Sequence, residues 1–159
     1  MSLTQIKPQD APVTAAMTYH RLVERVRYDG AYPTRERADA VLHAVLTSLG
    51  RRLPEEERTE LAGVLPEEAA RFLTATAHEP ERFTGWEFVA DLASRTGGTP
   101  ATARWDTGTV LELVAKLAGE DLIARILDRL PAGYALLFGR AELTRPAAPA
   151  QPAPAPRAA

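Results

Sequence analysis

The chain has 159 residues, 45% of them hydrophobic, a formal net charge of −2 and no cysteine. That length suits one domain, or two small halves sharing a core. The missing cysteines exclude disulfide frameworks, thiolate zinc sites and thiol nucleophiles, and the small negative charge supplies no global field for nucleic acid or acidic lipid.

Residues 1–16 carry no hydrophobic period and are expected to form a disordered tail. MSLTQIKPQDAPV has neither an apolar signal core nor an Arg-rich amphipathic pattern, so a cytoplasmic location is expected. No apolar run approaches the roughly 20 residues that span a bilayer, so no membrane partner is expected. From residue 17 the period is helical. Leu22, Val23 and Val26 share a face in YHRLVERV, and Ala38, Val41, Leu42, Val45, Leu46, Leu49 and Leu53 make one broad apolar stripe. Helices are expected near 18–29, 34–52, 55–63 and 66–76, then 84–95, 100–118, 120–128 and 131–139. Thr84 with Glu87 forms a capping box, and Thr99 is an N-cap with Pro100 at the first helical position. Gly139 is the expected C-cap of the last helix. Gly108 inside the sixth helix weakens it by up to about 1 kcal/mol and marks a place for close helix packing. No segment alternates with period two, so the fold class is all-α. Residues 144–159, TRPAAPAQPAPAPRAA, favour extended polyproline-like conformations and cannot bury a core, so a disordered solubilising tail is expected there.

The helical part repeats itself. Leu22, Val23 and Val26 align with Phe88, Val89 and Leu92, and Val45, Leu46 and Leu49 align with Val110, Leu111 and Val114. Leu65 and Pro66 align with Leu130 and Pro131. Residues 17–143 are therefore expected to form one domain of two tandem four-helix repeats, 17–80 and 81–143, packed into a single helical bundle. Proline cannot donate to a preceding turn and pushes the residue before it into an extended conformation. Each Leu-Pro pair should thus end a third helix, turn its Leu inward as an anchor, and start a fourth helix with Pro at its first position.

The paired segments LVERV/FVADL, AVLTSLGRRLPEEE/TVLELVAKLAGED and LPEEAARFL/LPAGYALLF resemble the bacterial domain of unknown function 2267 family. The similarity covers about residues 18 to 140. It implies a small cytoplasmic helical protein of bacteria and carries over no catalytic residue.

No enzyme mechanism assembles from the remaining residues, and no catalytic residue, metal or cofactor is assigned. His20 with Glu24, and Asp39 with His43, each stand four apart on a helix, but a metal needs three or four converging groups. The acidic pairs lie mostly in helix first turns, where the helix dipole holds carboxylates ionised. RTGGTPAT lacks the preceding strand and following Lys of a phosphate loop. The basic residues are 17 Arg against two Lys, scattered among acids, as a GC-rich genome would produce. The leading reading is a non-enzymatic module acting through protein contact, with an unknown partner or a second copy, and with Tyr28, Tyr32, Arg51, Arg52 and Trp105 as its surface. Nucleic-acid binding through the Arg groups of the first repeat is the alternative and is disfavoured by the interleaved acids. A small-ligand or enzyme pocket between the repeats is third.

Overall fold

The structure, a computed structural model, describes residues 17–141. The expected tails, 1–16 and 144–159, lie outside the described residues, as do the last two positions of the expected domain, 142 and 143. Among the described residues there are eight helices and no strand. They are α1 (Tyr19–Gly30), α2 (Arg35–Arg52), α3 (Glu55–Ala62), α4 (Glu67–Thr74), α5 (Gly85–Thr96), α6 (Pro100–Ala118), α7 (Glu120–Arg129) and α8 (Tyr134–Leu137).

Threonine starts the four longer helices that begin each half. The hydroxyls of Thr18, Thr34, Thr84 and Thr99 accept from the backbone N–H three residues on, at 3.1–3.2 Å. At Thr84 the box closes, since the Thr84 N–H donates to Glu87 Oε1 at 2.8 Å. These bonds satisfy donors that a helix start otherwise leaves open, each worth about 1 kcal/mol.

The two long helices α2 and α6 pack against each other at the centre. Val45, Leu46 and Leu49 of α2 and Val110, Leu111 and Val114 of α6 are buried there. Each such side chain contributes roughly 1.5–3 kcal/mol by leaving water. The outer helices cross over: α1 packs on α6 as well as on α2, and α5 packs on α2 as well as on α6. One continuous core results, running from Leu22 to Phe138. On the far side α3 meets α7, where Arg125 grips Glu60 with two bonds of 2.5 and 2.9 Å and Arg129 reaches Glu57 at 3.0 Å.

Both Leu-Pro breaks are present as chain turns with the Leu inward. Leu65 and Leu130 are each 8% exposed, and their N–H groups donate three residues back, to Ala62 and Leu127. The helix starts differ from expectation. Pro66 is the N-cap rather than the first helical residue, with ψ of 152°, and α4 begins at Glu67. Pro131 stands outside any helix, and α8 is confined to Tyr134–Leu137. The cause is Gly133, whose left-handed φ of 97° breaks the helical path. This turn presses on the start of α5: the Gly85 N–H donates to the Ala132 carbonyl at 2.8 Å, and a Cβ on Gly85 would stand 2.5 Å from the Gly133 oxygen. The chain then closes as expected at Gly139, where the N–H groups of Gly139 and Arg140 cap the carbonyls of Leu136 and Ala135.

Candidate interaction surface

The C-terminus of α1 builds one wall of the candidate site. Its last carbonyls are closed by a Schellman arrangement, with Ala31 N–H on the Tyr28 oxygen and Tyr32 N–H on the Arg27 oxygen, at 3.2 and 3.0 Å. Ala31 takes the left-handed φ of 57° that this motif requires. Gly30 leaves room for the Tyr32 ring to fold back over the helix end, where any Cβ would overlap it. Tyr32 is therefore buried, and its hydroxyl donates to Asp106 Oδ1 of α6 at 2.5 Å. Burial, and then the Asp106 carboxylate, raise the Tyr32 phenol well above its ordinary pKa. Trp105, one residue earlier on α6, donates its indole N–H to the Gly30 carbonyl at 3.0 Å. The α1–α2 turn is thus tied to α6 at two points.

Tyr28 and Trp105 stay outside. They are 83% and 55% exposed, and the indole is held in one orientation by its bond to Gly30. Between them and the outer edge of α6 runs an open groove of about 980 Å³. Arg104, Gly108, Glu112 and Lys116 line that edge. Arg104, Glu112 and Lys116 make no ion pair among the described residues, so both signs of charge are free on this face. Gly108 is not a helix-packing contact, contrary to expectation. A Cβ there would meet only side-chain ends of its own helix, the Arg104 guanidinium at 2.7 Å and Glu112 Oε2 at 3.9 Å, and the guanidinium drapes over the bare backbone.

Of the five residues expected on the surface, Tyr28 and Trp105 are there and three are not. Tyr32 is under the α1 end. Arg51 and Arg52 point inward to the segment joining the halves, with side chains 15% and 4% exposed. Arg52 donates to the Glu81 carbonyl at 2.6 Å and to Glu79 at 2.5 Å, and lies 4.3 Å over the Phe83 ring. Burying this guanidinium requires all those partners, because a buried charge without them is prohibitive. The same burial removes Arg51 and Arg52 from the Arg groups of the first repeat that the nucleic-acid alternative drew on. Elsewhere in the first half Arg25 pairs with Asp29, Arg27 and Arg35 with Glu24, and Arg37 with Asp106.

Three of the four side chains considered for a metal are engaged elsewhere. The Tyr19 hydroxyl donates to Asp39, Glu24 serves the two arginines, and His43 stacks on Phe72 at 4.1 Å. Among the described residues, no three His, Cys, Asp or Glu side chains group to hold a metal ion. No helix of the structure is long and apolar enough to cross a membrane.

These features define an all-helical bundle with an open, aromatic-edged groove. Residues 19–137 match the family model described as "Uncharacterized conserved protein (DUF2267)", and the chain belongs to that family. None of the curated proteins matches it.

Proposed function

We propose that the protein is a non-catalytic, cytoplasmic interaction module of bacteria, built from two four-helix repeats, and that its partner is a second copy of itself. The repeat reading is supported by equivalent Thr caps, equivalent buried Leu-Pro breaks and the reciprocal crossing of α1 and α5 onto α6 and α2. Glu60 and Arg125 are 65 residues apart, so they occupy equivalent positions, and they touch each other. Contact between positions at the repeat offset supports two repeats related by a rotation whose axis passes close to this ion pair.

The observation that carries self-association is the charge order along the outer edge of α6. Arg104 and Glu112 stand four residues either side of Gly108, and neither has an ion-pair partner. Two copies of α6 laid antiparallel with their Gly108 positions together would bring each Arg104 to the level of the other copy's Glu112. Once Arg104 swings across to the other copy's Glu112, it uncovers the Gly108 backbone, and the ridge of one copy can enter the groove of the other in the ridges-into-grooves manner of helix packing. Tyr28 and Trp105 then supply the aromatic anchors that dominate interface energetics.

Sedimentation velocity across a concentration series tests this. Arg104→Glu and Glu112→Arg should each shift the mass toward monomer, weakening association by about tenfold or more through like-charge contacts made twice. The double exchange, Arg104→Glu with Glu112→Arg, should restore association. A chain that is monomeric at all concentrations, or a double variant no better than the singles, sinks the reading.

A further inference from the structure

A second cavity, of about 350 Å³, opens where the end of α2, the segment joining the halves and the α7–α8 turn come together. Its volume lies within the range of small-molecule sites, roughly 300–1,000 Å³. The chemistry of its wall is divided. Phe83, Leu130, Pro131 and Tyr134 give an apolar side, and Arg52, His78, Arg82 and Arg129 bring basic groups, with Glu81 the one acidic residue lining it. Two of the three arginines already have partners. Arg52 holds Glu79 and the Glu81 carbonyl, and Arg129 holds Glu57 at 3.0 Å. Arg82 makes no ion pair among the described residues and is exposed.

Tyr134 is the unexplained member. Its side chain is 1% exposed and packs edge-on against Phe88 at 5.7 Å between ring centres. Its hydroxyl is buried and has no hydrogen-bond partner. A buried hydroxyl left unpaired carries its full desolvation cost, and native structures rarely leave one so. A Phe would pack as well and avoid that cost. The hydroxyl lies within the fields of Arg52 and Arg82, both of which line the cavity, and of Glu87 and Asp91.

We propose that this cavity binds a small organic anion, with its apolar body against Phe83, Pro131 and Tyr134 and its carboxylate or phosphate held by Arg82 and the Tyr134 hydroxyl. The phenol acts as donor and completes the hydrogen bond that the protein alone does not supply. Charge-assisted bonds of this kind are about twice as strong as neutral ones, so the anionic group is the part of the ligand that the site selects.

The test is an NMR titration of the full chain with phenyl phosphate, benzoate and the neutral benzyl alcohol. The two anions should produce saturable shifts at Phe83, Leu130 and Tyr134, and benzyl alcohol should bind about tenfold more weakly or not at all. A preference between phenyl phosphate and benzoate assigns the anionic group. Arg82→Ala, at an exposed position, should weaken the anions by about tenfold. Tyr134→Phe should weaken them too, while the ligand-free variant melts at or above the temperature of the parent. Three results overturn the proposal: no saturable shift at about 10 mM anion, equal binding of the neutral compound, or a Tyr134→Phe variant that binds like the parent.

Discussion

Replacing Gly50 or Gly108 by alanine makes the same chemical change inside two long helices, and the surroundings give it opposite signs. At Gly50 the new Cβ would overlap the backbone carbonyl oxygen of Leu73. Carbon and carbonyl oxygen normally approach to about 3.3–3.6 Å, so α4 would have to withdraw from α2 by about 1.5 Å. Ala69 and Leu73 are fully buried on that contact and would lose their fit. Overpacking of this sort costs about 1–3 kcal/mol, and rigid backbone places this case at the upper end. Alanine's better helix propensity returns about 1 kcal/mol, leaving a net loss of about 2 kcal/mol. At Gly108 the one tight neighbour of the Cβ is the Arg104 guanidinium at 2.7 Å, the far end of a flexible chain that can swing away, and Glu112 Oε2 at 3.9 Å is an ordinary contact. The propensity gain of about 0.8–1 kcal/mol then stands nearly whole. The two variants should therefore differ by about 3 kcal/mol. Urea titration followed by far-UV circular dichroism, at protein concentrations where the chain is monomeric, reads both midpoints with an unchanged slope. A Gly50→Ala variant as stable as the parent, or shifts of the same sign at both sites, would refute this account of the helix contacts.

Leu65→Ala and Leu130→Ala should each cost about 2–5 kcal/mol in the same titration, because both side chains are buried at the breaks before Pro66 and Pro131. A negligible loss at either would remove it as an anchor. Ala31→Gly should raise stability by about 1 kcal/mol, since Ala31 holds a left-handed φ of 57° that glycine adopts without penalty; differential scanning calorimetry decides it. The phenols of Tyr32 and Tyr134 are raised above their ordinary value near 10, chiefly by burial. The folded chain keeps these phenols protonated when the unfolded chain ionises them, so stability is independent of pH on their account below about pH 10 and falls as pH rises beyond it, by up to about 1.4 kcal/mol per pH unit for each phenol. Melting curves between pH 9 and 11.5 should show that decline, and a Tyr32→Phe, Tyr134→Phe double variant should make it shallower, leaving the part due to Tyr19, whose phenol is also raised by burial and Asp39.

The helices were readable because their signals are local. Apolar spacing over α2 and α6, Thr at each start and proline at each break act within a few residues, and the helix ends follow them closely. Gly133 shows where that logic stops. Its left-handed φ serves a turn pressed against Gly85, nearly fifty residues earlier, and periodicity around Pro131 contains no trace of that contact. The surface residues divide in the same way. Tyr28 and Trp105 fall on outward faces of their helices, as periodicity indicates. Tyr32 and Arg52 also look like surface residues, being polar at one end and outside the apolar stripes. Their burial depends on partners distant in sequence: Asp106 for Tyr32, and Glu79, Glu81 and Phe83 for Arg52. The cavity beside Tyr134 had no local signature, since its lining comes from three separated segments.

The crossing of α1 onto α6 and α5 onto α2 also governs how this chain leaves the ribosome. When α2 is complete, the Val45 and Leu49 face that α6 will cover has no partner, and α6 ends some 66 residues later. At a synthesis rate of about 5–20 residues per second, that interval lasts about 3–13 s. Through it the nascent chain presents an apolar stripe without its native cover. Synthesis of this protein therefore opens a fixed window for chaperone capture, and a slower codon run between α2 and α6 would lengthen it.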